Sequence, residues 1–209
     1  MKTIKMSPIW LRLRRRALEL LADCRGLAAI EFAMIVPIML VMFFGTVEFS
    51  SGVAVNRKVT LVARTVSDLT SQAAVAVDDT YLQNVFTAAI AILTPYSSTP
   101  TQATLSEIYV DSNQVAKIKW SKSAIISSGS TQATLTTSTR HAGDVVTLPA
   151  ALLVKQTYLI FSEVSYLYTP VVGYVMAKAG INLSDVAYTR PRQLTCVTYN
   201  TVPAGCPTP

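Results

Sequence analysis

Arg25-Gly26-Leu27-Ala28-Ala29-Ile30-Glu31-Phe32-Ala33 opens an apolar run that continues through Val47, and one residue in it is out of place. Glu31 sits alone as a carboxylate inside otherwise apolar sequence. A charged side chain at the centre of a bilayer costs ~2.5–3.5 kcal/mol on insertion scales, so one that persists there marks a function. It stands five residues after Gly26, which ends a basic stretch and is a candidate cleavage point. That combination suggests a subunit that is first processed and then assembled.

Working outward, Leu27 to Val47 is 21 residues, enough for ~30 Å of hydrocarbon at ~1.5 Å per residue. A secretory signal has an apolar region of only ~7–15 residues, so the run reads as a signal anchor. The competing reading is a signal-peptidase site at Gly52-Val53-Ala54, which has the small-x-small form. Glu31 would be an odd choice inside a disposable signal.

Charge supports the anchor. The chain has 209 residues, 51% apolar and only 14% charged, with a net charge of +6. Residues 1–26 hold Lys2, Lys5, Arg12, Arg14, Arg15, Arg16 and Arg25 against Glu19 and Asp23, so they carry +5 of it and the remainder carries +1. Basic residues massed before a single apolar segment place the N-terminus in the cytoplasm and the rest across the membrane. A leader of this kind orients and targets; it argues against nucleic-acid binding.

Cys24 lies before the candidate cleavage point, whereas Cys196 and Cys206 lie near the C-terminus. Cleavage after Gly26 would leave two cysteines in an oxidising compartment, where a disulfide is expected. Closing that short loop would contribute ~2–3 kcal/mol and pin the tail. Two independent thiols are the alternative.

The apolar rhythm does not stop at Val47. Val55, Val59, Val62, Val66 and Leu69 keep a helical period, and Arg64 with Asp68 forms an i,i+4 pair. One helix of ~45 residues is expected, with Pro37 tolerated because it lies in the membrane half. Asp78-Asp79-Thr80 caps a second helix with Leu82, Val85, Phe86, Ala89, Ile90 and Leu93 inward, stopped by Thr94-Pro95. Tyr96 to Thr101 reads as a polar loop. Leu105 to Val110 and Val115 to Ser121, joined by Asp111-Ser112-Asn113-Gln114, read as a β-hairpin. Ser127 to Thr139 reads as an exposed loop and Leu148 to Val154 as a short helix. Thr157 to Tyr168 is the strongest strand: both faces are largely apolar, which places it inside a sheet. Val171 to Ala179 is expected to be helical and capped by Gly180. Val186 to Val197 is expected as a strand interrupted by Pro191, hence at an edge. The fold class is α+β, a long N-terminal helix followed by a small domain with a mostly antiparallel sheet. Its parts are a leader (1–26), a transmembrane helix (27–47), a helical stalk (48–75) and an exported domain (78–209).

Catalytic chemistry has little to stand on. His141 is alone in a Thr/Gly-rich loop and reads as a solvated surface residue. No G-x-S-x-G elbow, P-loop, H-E-x-x-H or paired C-x-x-C is present. One histidine with scattered carboxylates makes a poor metal site, and Tyr166, Tyr168 and Tyr174 read as core. The reading is a non-enzyme with no catalytic set, metal or cofactor.

A basic leader, Gly26, and Glu31 at the fifth position after it, followed by a membrane helix, resemble a type IV prepilin. The finer pattern is Arg-Gly-x-Ala-Ala-Ile-Glu-Phe-Ala, then Pro37, then Gly-x-x-Glu from Gly45 to Glu48. It is similar to the TadE/TadG-like minor pseudopilins of tight-adherence (Flp) pilus systems. The Tyr166 to Pro170 strand end and Arg190-Pro191-Arg192 are also reminiscent of that family. Leu27 departs from the Phe that pilins often carry at the first mature position. The resemblance implies cutting between Gly26 and Leu27 by a prepilin peptidase on the cytoplasmic face. It implies pairing of the new Leu27 amine with Glu31 of the same or a neighbouring subunit, and assembly with other pilins and the Tad inner-membrane machinery. Glu48 is the second candidate assembly residue. With 16 apolar or small residues between the two glutamates, about 24 Å of helix, Glu48 reaches the outer headgroup region. An uncleaved, signal-anchored envelope protein with a ligand- or partner-binding domain is the alternative of a different class. A secreted protein released after Ala54 ranks behind both.

Overall fold

The computed structural model describes residues 15, 16, 19, 26–99, 101–127, 130–170, 180–200 and 206. The chain divides into two compact units, Met1–Val47 and Glu48–Pro209. Helix α1 (Leu27–Ser71, 45 residues) contains Pro37 and belongs to both. Its N-terminal part presents bare apolar surface: Phe32, Met34 and Met42 are each 69% exposed. With that stretch unburied, the helix is long and apolar enough to cross a membrane.

In the second unit, α1 turns amphipathic. Val55, Val59, Val62 and Val66 are fully buried and Leu69 packs against the same core, as their helical spacing predicts. Hydroxyls fix the helix to the sheet beneath it. Ser162 Oγ donates to the Ala63 carbonyl (2.5 Å) and Ser67 Oγ to Thr189 Oγ1 (2.8 Å). The i,i+4 pair expected between Arg64 and Asp68 does not form among the described residues. Asp68 instead takes the guanidinium of Arg192, because a tertiary partner with a fixed backbone is nearer its carboxylate. Helix α2 (Asp79–Ile90) is capped by Asp78, whose side chain accepts from the Tyr81 amide at 2.7 Å. All six of its expected inward residues are buried, Leu93 lying on a 3-10 turn (Ala91–Leu93). Lys58 on α1 donates from Nζ to the carbonyls of Ile92 and Thr94, both at 2.7 Å. It thereby satisfies acceptors that a helix end leaves unpaired. Lys58→Ala is expected to cost about 1–2 kcal/mol, read as a lower thermal midpoint of the detergent-solubilised protein.

Five antiparallel strands follow in the order β3-β2-β1-β4-β5. They are β1 (Thr101–Val110), β2 (Ala116–Ile125), β3 (Thr134–Thr136), β4 (Thr157–Tyr168) and β5 (Ile181–Thr189). The β1–β2 turn is held by Asp111 Oδ1, which accepts from the amides of Asn113 and Val115 at 2.8 Å. β4 has its expected bounds and an interior place between β1 and β5. One sheet face packs on α1 and α2. On the other, Ile108, Ile118, Leu159 and Phe161 are covered by Val146 and Leu148.

Several boundaries differ from the sequence reading. β1 begins at Thr101, pairing with Tyr166, so the strand takes in residues read as loop. The expected loop 127–139 contains β3, whose backbone pairs with β2. Only Ala150–Leu152 of the expected helix 148–154 turns, as a 3-10 turn after Pro149. The last strand is 181–189 and not 186–197; it does lie at the sheet edge, and it stops before Pro191, which has no amide to continue a ladder. The helix expected over 171–179 lies outside the described residues. Gly180 (φ +79°) follows it, where a Cβ would sit 2.9 Å from the Tyr168 carbonyl, so only glycine fits.

Candidate functional site

α1 starts at Leu27, directly after Gly26. Gly26 is exposed, and a Cβ built there would meet nothing within 4 Å. Nothing among the described residues therefore requires glycine at this position. Glu31 lies one turn along α1, exposed between Ile30 (61% exposed) and Phe32 (69%). Among the described residues no hydrogen bond or ion pair engages its carboxylate. One turn of helix is about 6 Å of rise, within reach of an amine on the first residue of a chain starting at Leu27.

Glu48 has the opposite surroundings. It is 4% exposed, within the second unit, and accepts a hydrogen bond from the Tyr168 hydroxyl at 3.0 Å. Gly52, one turn on, lies against the same ring; a Cβ there would be 3.7 Å from Tyr168. Glu48 is thus committed to its own chain's sheet. The two glutamates, similar in sequence context, differ in that one is open and one is enclosed.

At the other end of the chain, Cys196 and Cys206 are joined in a disulfide with Cα atoms 5.6 Å apart, packed beside Tyr109 and Tyr158. Next to it is a residue the sequence reading passed over. Glu107, on β1, is 2% exposed, and its Oε1 accepts from the Val197 amide at 2.5 Å. Trp120 Nε1 donates to the Val197 carbonyl at 2.6 Å, so both polar groups of that peptide are held. Burial pushes the Glu107 carboxyl up to about 7, against the opposing pull of the Val197 amide, the Trp120 indole and the charge of Lys119. The sequence signal was available: Leu105, Glu107 and Tyr109 alternate on one strand face, which makes the carboxylate point inward.

The chain is thus an α+β domain on a long helix that can anchor it as a single-pass membrane protein. Residues 26–68, nearly coextensive with α1, match the family model described as TadE-like protein, which agrees with the resemblance carried by Gly26, Glu31, Pro37 and Glu48. The match associates this segment with Tad pilus systems; the sheet domain lies outside it. No curated protein and no solved structure matches the chain.

Proposed function

We propose that this chain is a minor pseudopilin, a structural or assembly subunit of a Tad/Flp-type pilus. In this reading the leader 1–26 lies in the cytoplasm, residues 27–47 span the inner membrane, and the domain 78–209 is periplasmic until the subunit is extracted into, or primes, a fibre. A prepilin peptidase cuts between Gly26 and Leu27. The observation that carries the reading is the TadE-like match beginning at Gly26, on a glycine that no described residue requires. Close approach of a peptidase to the backbone is a reason for glycine at this position.

Once cleaved, the Leu27 amine and the Glu31 carboxylate carry opposite charges in a medium that penalises either alone. Bringing them together within one subunit or between neighbours favours helices docked in register. Gly45 allows stalk helices to approach closely, whereas Gly52 is turned to Tyr168 of its own domain. Glu48 serves assembly indirectly, by holding α1 to Tyr168 of its own domain. Other pilins and the Tad inner-membrane machinery are the expected partners. The reading is tested by Gly26→Val: the full-length precursor is expected to accumulate in membranes, read by intact mass. Normal processing of that variant would overturn it.

A further inference from the structure

Away from α1, the sheet domain carries a cleft of about 560 Å³ between β2, the segment 135–142 and Tyr199. That volume is in the range of small-ligand sites, ~300–1,000 Å³. The chain beyond residue 26 is close to neutral, yet Lys119, Lys122 and His141 all line this one cleft. Two aromatic rings form its wall: Trp120 and Tyr199, with centroids 5.8 Å apart and planes tilted by 33°.

How Lys119 comes to be there is informative. The β1–β2 register jumps from Glu107↔Trp120 to Ile108↔Ile118, leaving Lys119 as the extra residue of a β-bulge. A bulge re-aims a side chain at the expense of the ladder. Here Lys119 Nζ comes 5.0 Å over the Tyr109 ring, while the neighbouring Trp120 reaches Val197. Consecutive residues thus serve the same side of the sheet, which regular alternation forbids. Lys122 is partly engaged: Asp79 lies 3.4 Å from its Nζ, which also sits 4.6 Å over the Tyr199 ring. Arg140 belongs to Glu163, with which it makes a two-point contact. Lys119 is therefore the cation best placed for an incoming anion, with Lys122 in support.

We propose that this cleft binds a carboxylated sugar, its ring against the Trp120–Tyr199 wall and its carboxylate on Lys119. The indole N–H is already used by Val197, so Trp120 offers a ring face and not a donor. An electron-rich aromatic face suits the C–H side of a pyranose ring. Thr136 and Thr137, which also line the cleft, supply hydroxyls for the ring's own. An ammonium–carboxylate contact gives the charge-assisted bond that discriminates an acidic from a neutral sugar. A peptide suits the place less well, because the strand beside it, β3, offers only three residues of edge. This inference does not depend on processing after Gly26.

The test uses the full-length chain carrying Trp10→Phe, so that Trp120 is the sole tryptophan, titrated in detergent with oligogalacturonate. The expected result is a saturable change in Trp120 emission, absent with a neutral maltooligosaccharide and with polyglutamate. Lys119→Met, which removes the ammonium that lies over Tyr109, is expected to weaken binding about tenfold. Thr137→Val, at an exposed position, provides a second variant expected to weaken it. The proposal is overturned by no saturable change, by an equal response to the neutral sugar or polyglutamate, or by undiminished affinity in both variants.

Discussion

Glu31→Ala is expected to leave processing after Gly26 intact and to abolish or severely reduce fibres. The side chain is exposed on an apolar helix and no described residue engages it, so its removal costs the isolated subunit nothing in packing. In the proposed assembly, what it removes is the partner of the Leu27 amine, an ammonium then left uncompensated in hydrocarbon when subunits dock. If the lost pairing is worth about 2–3 kcal/mol per contact, each subunit addition weakens on the order of a hundredfold. Repeated along a fibre, that is decisive. Glu31→Gln keeps the shape and a hydrogen-bond acceptor but loses the charge, and is expected to assemble poorly too. Counting fibres by electron microscopy, alongside intact mass of the membrane-bound subunit, separates the two steps. Cleaved subunit with normal fibres in Glu31→Ala would end the pairing argument.

The second large effect concerns Glu107. Its carboxyl is raised from an ordinary 4.5 to about 7 by burial, so folding favours the protonated form. The stability it contributes is fully present below about 4.5 and is lost as pH rises through about 7. That difference corresponds to about 3 kcal/mol between the two ends of the window. Lys119 on the bulge opposes the shift, and Tyr158 feels the same carboxyl, its own hydroxyl raised first by burial and then by Glu107. Asp79 acts in the other direction and at lower pH. Held below the usual range chiefly by the Tyr199 hydroxyl, it contributes stability that is lost only as pH falls through that range. Glu107→Gln keeps an acceptor for the Val197 amide without a charge. It is expected to flatten the pH dependence between 4.5 and 7 and to be more stable than the parent at pH 8. Thermal melts of both proteins across that window provide the check; parallel curves would show that Glu107 is not the titrating group.

Much of the fold was legible because it is written in period and punctuation. The valines of α1, the Asp78 cap and the two-faced apolar run of β4 each state their own element. What stayed hidden depends on tertiary pairing. β3 is three residues long, too short for alternation to be visible, and exists because β2 offers it backbone partners. β5 begins among the polar Asn182, Ser184 and Asp185, ahead of the expected start at Val186; Asp185 is stabilised there by the Thr60 hydroxyl on α1. Asp68 illustrates the same rule, since its local partner Arg64 loses to Arg192, 124 residues away. At the N-terminus the candidate residues could be named because Gly26 and Glu31 lie in one short run. The Lys119–Trp120–Tyr199 cleft could not, since its walls come from distant segments and its key lysine from a bulge.

The most direct test of the central claim is the N-terminus of the membrane-extracted protein, by intact mass or N-terminal sequencing, with and without the prepilin peptidase. The chain is expected to start at Leu27 and to revert to Met1 when the peptidase is absent. A start at Met1 in both, or at Val55, would contradict it, the first leaving a signal-anchored domain and the second a secreted one.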